Sequence, residues 1–364
     1  MSQASMTEEV LSRIENIMLQ QGLTAEQPVV LMVSGGSDST ALAYAAAALR
    51  NAGKLQRVVM LHMNHKIRGA ESDADARFVA GLSQMLEIPL FSCEEDIPRI
   101  VSETGKNLEA VARSERYYAA HEALKSACEH LRYDGEDGVA FTAHTADDRV
   151  ENFYMRSIVG TGPGGFRSMY YSSYVQGVRV VHPLLDMSRD DLRAFIEEQP
   201  QIYAGEEGEH WREDSTNTDT DSFRAFVRHE IIPRAKERNP KLLDTLIRTM
   251  NLIADEDDMM ASYARQVLIE RVQPLGQIPQ EGMLVSPELA EEPLPVQRRV
   301  IKRMLSLIFT SEERVENQSV EACLSALGAS GEVRNIQNNY AVSYNKQGLR
   351  VEPMESFRAR RNRI

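Results

Sequence analysis

The chain has 364 residues, 42% of them hydrophobic and 26% charged, which is ordinary for soluble globular protein and gives room for two domains with a small extension. Its formal net charge of −13 excludes indiscriminate polyanion binding, so any nucleic-acid contact has to come from local basic patches. Three scattered cysteines, Cys93, Cys128 and Cys323, exclude a disulfide framework and a closely spaced metal or redox pair, and no apolar run approaches the roughly 18 residues of a membrane span.

The start, MSQASMTEEV, lacks the basic and apolar regions of a secretory signal, so the expected location is cytoplasmic and no membrane partner is expected. Ser5 with Glu8 three residues on is a capping-box pattern and predicts an opening helix that stops at Gly22. Short apolar runs at Val29–Val33, Arg57–Met63, Pro89–Cys93 and Val139–Ala143 then alternate with helical stretches at Asp38–Arg50, Ser72–Leu86, Leu108–His130 and Ala146–Ile158. That alternation predicts an α/β fold, a doubly wound parallel sheet covered on both faces. A further strand is expected at Val178–Val181, a helix from Ser188 with Asp191, a loop over Gly205–Asp221 and a long helix from Pro240 to about Arg271. Prolines 274, 279, 287, 293 and 295 read as a linker, and Glu332–Glu352 as a hairpin around Asn345 to Gly348. The expected divisions are an N-terminal helix (1–25), a nucleotide-binding domain (26–187), a mainly helical domain (188–285) and a small C-terminal α+β or hairpin element with a basic tail (286–364).

The strongest chemical signal is the strand, turn and helix around Ser34, Gly35, Gly36, Ser37, Asp38 and Ser39. Glycines let the backbone curl into a row of N–H donors, and the helix that follows turns its positive end to the same spot, so the loop suits phosphate. It lacks the lysine of a Walker loop, and its charge must be neutralised by metal or by distant arginines. Two other strands end in polar clusters: His62, Asn64, His65 and Arg68 after the second, and His144, Asp147, Asp148 and Glu151 after the fourth. In an open parallel sheet the ligand crevice lies outside the carboxyl ends of the strands, where all three clusters emerge. Asp147, Asp148 and Glu151 share one helix face and suit Mg²⁺ or a substrate ammonium; the alternatives are a dipole-favoured acidic first turn and a hydrolytic His/Asp metal site built with His62, His65 and His144. Glu109, Arg113 and Arg116 form one stripe on the helix from Leu108, either a surface pair or the missing positive charge. Basic patches occur at Arg224–Lys241, at Arg298, Arg299, Lys302 and Arg303, and at Arg358–Arg363.

Together SGGSDS (34–39), HMNHKIRGAESDAD (62–75), EAVARSERYY (109–118), AHTADDRVEN (143–152), GTGPGGF (160–166), HPLLDMSR (182–189), EDSTN (213–217) and FRAFVRHEIIP (223–233) resemble the bacterial tRNA(Ile)-lysidine synthetases, members of the PP-loop ATP pyrophosphatases with an adenine nucleotide alpha hydrolase-like fold. The resemblance covers roughly the first 240 residues and implies an ATP-dependent ligase. ATP would adenylate the wobble cytidine of a CAU-anticodon tRNA(Ile), and the side-chain amine of free L-lysine would displace AMP to give lysidine. It further implies that Ser34–Ser39 cradle the phosphates, with Asp38 and Asp147 at Mg²⁺. Arg113 would act at the α-phosphate, and His62, Asn64 and His65 would line the nucleotide. Asp148 and Glu151, together with Asp147, would hold Mg²⁺ and the lysine ammonium, while Arg68, Glu109, Arg116, Arg224 and Arg228 would face substrate or tRNA. A homodimer is allowed. Where the family usually has Arg-Asn, this chain has Arg224 and Ala225, removing one amide contact on the tRNA side, and its length leads us to expect that a full second C-terminal domain is absent. Two other readings stay open: a tRNA thiolase, which would ordinarily want a cysteine pair, and a non-catalytic nucleotide- or tRNA-binding module.

Overall fold

The computed structural model describes residues 5–131, 138–213, 222–309 and 314–361, and these form two compact units, Met1–Asn251 and Leu252–Ile364. Residues 214–217 of the EDSTN motif and Arg363 of the basic tail lie outside the described residues.

The first unit opens with α1 (Met6–Gln20), whose Ser5/Glu8 capping box is formed and whose Val10, Ile14, Ile17 and Met18 are buried. It is therefore part of the core and not a separate extension. There follow β1 (Val29–Met32), α2 (Ser37–Asn51), β2 (Val58–Asn64), α3 (Ala70–Leu86), β3 (Leu90–Glu94), α4 (Ile97–Thr104), α5 (Leu108–Leu131), β4 (Val139–Phe141), α6 (Ala146–Val159), β5 (Ser172–Val175) and β6 (Val178–Val181). The sheet order is β3-β2-β1-β4-β6-β5; every pairing is parallel except the edge strand β5, which returns antiparallel on β6 and was not anticipated.

Successive strand residues point to opposite faces, and both faces are apolar. Val29, Leu31, Val58, Met60 and Phe141 pack with α1, α2 and α3 on one side. Val30, Leu61, Ala140 and Val180 pack with Tyr117, Ala120 and Leu124 of α5 on the other. The chain runs outward from β1 to β3 and then re-enters beside β1 as β4, so the strand order reverses between β1 and β4. A ligand crevice forms at such a reversal, and the helices that leave β1 and β4, α2 and α6, start at its rim.

The unit closes with α7 (Arg189–Glu197), α8 (Phe223–Phe226), a π-helical turn over Val227–Ile231, α9 (Ile232–Arg238) and the first part of α10 (Leu242–Arg271). Pro233, in the first turn of α9, has no N–H to donate back to His229, and a widened turn just before it accommodates the missing bond.

In the second unit the stretch read as a linker is folded. Pro274 ends β7 (Val272–Pro274), Pro279 and Pro287 start short 3₁₀ turns on either side of β8 (Met283–Val285), and Pro293 and Pro295 begin α11 (Leu294–Ile308). Proline is favoured in a first helical turn, where its missing N–H has no partner to lose, so these prolines mark starts of elements. After α12 (Asn317–Ala326) come β9 (Val333–Ile336), β10 (Tyr340–Asn345), β11 (Gly348–Pro353) and α13 (Met354–Arg361). The expected hairpin is β10–β11, but it belongs to a five-stranded antiparallel sheet, β7-β8-β11-β10-β9, packed on α11 and α12. Its turn needs Gly348, at φ +125°, where an added Cβ would collide with the carbonyl oxygen of Val285. We predict that Gly348→Ala costs about 1–3 kcal/mol, read as a lower urea midpoint for the second unit; an unchanged midpoint would contradict this packing.

Candidate nucleotide and amine site

The loop after β1 is built around one hydroxyl. The backbone N–H groups of Ser34 and Gly35 both donate to Ser39 Oγ at 3.2 Å, and that hydroxyl donates to the carbonyl of Gly36 at 3.0 Å. Gly35 takes φ +96°, which suits a residue without Cβ, and Arg212 donates its backbone N–H to the Gly35 carbonyl at 2.9 Å. The N-cap of α2 is Gly36, with no side-chain hydrogen bond, whereas α1, α6 and α7 each carry a complete capping box. The first N–H groups of α2 therefore face the crevice with the helix dipole behind them, the arrangement that takes phosphate.

At the start of α6, Thr145 caps the helix and Asp148 completes the box, its Oδ2 accepting from Thr145 N–H at 2.8 Å and Thr145 Oγ1 at 3.0 Å. Asp148 Oδ1 is held by Arg189 at 2.8 Å and Arg224 at 2.7 Å. Glu151, 1% exposed, takes Arg224 Nε at 2.6 Å on Oε2, Arg228 at 2.6 and 3.1 Å on its two oxygens, and Arg189 at 3.5 Å. A carboxylate so deeply buried is tolerable only when its charge is matched, and three guanidinium groups match it here. Burial pushes the Asp148 carboxyl up, but Arg189, Arg224 and the backbone N–H of Thr145 outweigh it and hold it below the usual carboxylate range. At Asp38 burial dominates and the carboxyl is raised despite Arg189, whose Nε donates to Asp38 Oδ2 at 3.2 Å. Asp147 differs: its Oδ2 accepts the backbone N–H of Arg189 at 2.9 Å, while the cation beside Oδ1 among the described residues is Lys236 Nζ, at 3.9 Å. Asp147 and Glu151 line a cleft of about 190 Å³ whose other walls include Val150, Ile232, Pro233 and Leu243.

The end of β2 contributes a second group. His62 is buried and shares a 2.9 Å hydrogen bond between Nδ1 and the carbonyl of Val33, which places the proton on Nδ1 and leaves Nε2 an acceptor without a partner among the described residues. His65 lies 3.3 Å from Arg116, and burial, with Arg116 and His62, lowers its pKa to about 4. Asn64 is tied to Asp73 at 2.8 Å and to the N–H of Lys66 at 2.9 Å. Arg113 lies over the Tyr117 ring, 5.0 Å from its centre, and its charge reaches His144 and His182.

The structure thus brings Asp38, Asp147, Asp148, Glu151, Arg224 and Arg228 into one cluster beside the phosphate loop. Arg224 and Arg228 stand among the carboxylates instead of forming an open basic patch, and Asp148 spends one oxygen on capping. Arg68 lies apart, paired to Asp75 at 2.5 Å, and Asp75 in turn accepts from Arg212 at 3.1 Å. Glu109 is exposed. In the second unit Arg298 and Arg299 are paired with Glu321 and Asp257. No group of three or more His, Cys, Asp or Glu side chains suited to a metal occurs among the described residues.

Sequence reasoning missed Arg189. The available signal was its position: an arginine in the first turn of a helix opposes the dipole, and a broken local rule marks a site where charge has another use. It also missed the buried group formed by Thr142, His144 and His182, in which Thr142 Oγ1 lies 2.5 Å from His182 Nδ1 and 3.0 Å from His144 Nδ1. Burial, then His144 and Arg113, lower His182 from 6.5 to about 3. Between those values the unfolded chain binds the proton and the folded chain does not, so this group makes stability fall as pH falls through the window. We predict that the drop in urea midpoint from about pH 6.5 to about pH 4 is shallower in His182→Gln than in the wild type; equal slopes would contradict the assignment.

A family model of the PP-loop domain matches residues 6–235. The tRNA(Ile)-lysidine synthase of Geobacter sulfurreducens is 31% identical over 324 residues, covering 88% of this chain and 64% of that protein. That of Thermus thermophilus is 34% identical over 284 residues, 78% of this chain and 49% of that protein. The chain spans between about half and two thirds of the length of these relatives. Among solved structures, the U34-tRNA thiolase NcsA from Methanococcus maripaludis is 16% identical with a TM-score of 0.44, covering 69% of this chain and 79% of that one, a likeness too slight to bear on function. No helix among the described residues is long and apolar enough to cross a membrane. With the loop, the sheet reversal and the match over residues 6–235 agreeing, the chain belongs to the PP-loop domain family.

Proposed function

We propose that this chain uses ATP to adenylate the wobble cytidine of CAU-anticodon tRNA(Ile) and joins free lysine to it, forming lysidine. The observation that carries the reading is the union, through Arg189, of the loop's Asp38 with the α6 carboxylates in one cluster at the sheet reversal, which supports an amine site beside a triphosphate site. That the similar proteins of Geobacter sulfurreducens and Thermus thermophilus are tRNA(Ile)-lysidine synthases supports it.

In the first step the ring carbonyl oxygen of cytosine attacks the α-phosphorus and pyrophosphate leaves. In the second the lysine amine attacks the ring carbon, the carbon–oxygen bond breaks and AMP leaves. The order follows from leaving-group chemistry, because a ring oxygen leaves readily only as AMP. The α2 N-terminus and the N–H groups of Gly36 to Asp38 hold the phosphates, and Arg113 answers charge at the α-phosphorus. His62 Nε2, a fixed acceptor, suits an amino or hydroxyl group of the nucleotide. Asp147 and Glu151 take the ammonium, and Val150, Ile232 and Leu243 take the alkyl stem. In this reading Asp147, whose Oδ1 no arginine among the described residues occupies, receives the proton the amine must lose before it attacks. Arg224, with a side chain 41% exposed, is the cluster's route to the tRNA. Asp38, and Asp147 during adenylation before the amine gives up its proton, would hold a Mg²⁺ ion, whose charge would neutralise the departing pyrophosphate. A thiolase is less well supported, since Cys93, Cys128 and Cys323 lie far apart in sequence.

With ATP, Mg²⁺, lysine and the tRNA, the products should be AMP and pyrophosphate, and lysine omission should stop product formation while sparing adenylation. ADP and phosphate would contradict the reading. Asp38→Asn should abolish turnover with an unchanged circular-dichroism spectrum; wild-type turnover in that variant would remove its role. Asp147→Asn should raise the lysine KM about ten- to hundredfold, the scale of a lost charged hydrogen bond of roughly 1.5–3 kcal/mol. An unchanged KM would move the amine site elsewhere.

A further inference from the structure

Three arginines hold the α6 carboxylates, and they hold them differently. Arg224 gives Nε to Glu151 at 2.6 Å and Nη2 to Asp148 at 2.7 Å, and Arg228 grips Glu151 through both oxygens at 2.6 and 3.1 Å. Both are short, paired contacts of the strong kind. Arg189 instead divides its three nitrogens among three carboxylates, Asp38 at 3.2 Å, Asp148 at 2.8 Å and Glu151 at 3.5 Å. Its bond to Glu151 is the longest of these, and its hold on Asp38 joins the phosphate loop to α6. The backbone of Arg189 is fixed separately by its N–H bond to Asp147, so the guanidinium can shift without loosening α7.

We infer that Arg189 is a positioning residue that serves as an exchangeable counter-ion: it keeps Asp38, Asp148 and Glu151 together and neutralised before substrates arrive, and yields Glu151 to the incoming amine. The inference rests on the proposed amine-and-ATP reading. Its physical ground is that gathered carboxylates in a half-buried site need positive charge at every stage, while the substrate ammonium is present at only one. An internal cation with dispersed, longer bonds supplies that charge and is the one an ammonium can replace at least cost. The same group therefore competes with lysine for Glu151 and at the same time aligns the phosphate loop, two effects of opposite sign on the kinetics.

The test compares wild type, Arg189→Gln and Arg189→Lys in full-chain lysidine formation, varying lysine at saturating ATP and tRNA. In Arg189→Gln, kcat should fall about 10- to 100-fold, the usual cost of losing a group that orients a site, while the lysine KM falls several-fold because the competitor is gone. Low-millimolar guanidinium should restore part of kcat and raise the lysine KM again. A variant with lower kcat, higher KM and no response to guanidinium, or one with wild-type constants, would overturn the inference. Should Arg189→Gln fail to fold by circular dichroism, Arg189→Lys decides: a single ammonium cannot span three carboxylates, so its kcat should drop about tenfold, and a wild-type kcat would overturn the inference. A wild-type protein that neither binds radiolabelled lysine in equilibrium dialysis nor makes lysidine would overturn the functional reading itself, and that is seen before any variant is compared.

Discussion

A buried glutamate sets the terms for this molecule's first unit. Glu151 is 1% exposed on the first turns of α6, where its charge can persist only if cations are brought to it from elsewhere in the chain. Arg189 comes from the start of α7, Arg224 from α8 and Arg228 from the π turn that follows, so meeting the demand of one carboxylate fixes three later elements against α6. Removing one partner of such a network leaves an uncompensated buried charge, which is why the elements must come as a set. Asp38 is drawn in through Arg189, and with it the phosphate loop.

The sheet decides where this happens. Because the strand order reverses between β1 and β4, the helices after those strands begin side by side, one uncapped and glycine-led, the other capped and acidic. The first offers N–H donors and a positive dipole end to phosphate, the second offers negative charge to a cation. A lysine-free loop needs no lysine if the neighbouring helices carry the cations. Here Arg189 bridges the two helix starts, bound to Asp38 on one and Asp148 on the other, while Arg224 and Arg228 bind the carboxylates of the second.

Much of this was legible in the sequence. The β-α alternation gave the strands to within two residues, because a sheet buried on both faces demands near-continuous apolar runs, as in Val29–Met32 and Val178–Val181. The capping boxes at Ser5, Thr145 and Ser188 are local chemistry written in four residues, and α1 and α7 were placed from two of them. The phosphate loop and the carboxylates of α6 were legible because the ends of parallel strands converge. What failed was long-range or ambiguous. Arg189 pairs with Asp38 across 151 positions, and no periodicity reports such a contact. Arg224 and Arg228 read as a basic patch because spacing shows charge and not its partners. Prolines 279, 287, 293 and 295 read as a linker because the same residue that breaks a helix interior also starts a helix or a 3₁₀ turn. Edge strand β5 holds only four residues, too short to show alternation.

The central claim is that this cluster delivers an amine to an adenylated base. Its most direct test is mass analysis of the wobble nucleoside of CAU-anticodon tRNA after incubation with the protein, ATP, Mg²⁺ and isotope-labelled lysine. The account predicts a cytidine heavier by one labelled lysine less one water; an unmodified cytidine, or one that has gained mass without the label, would contradict it.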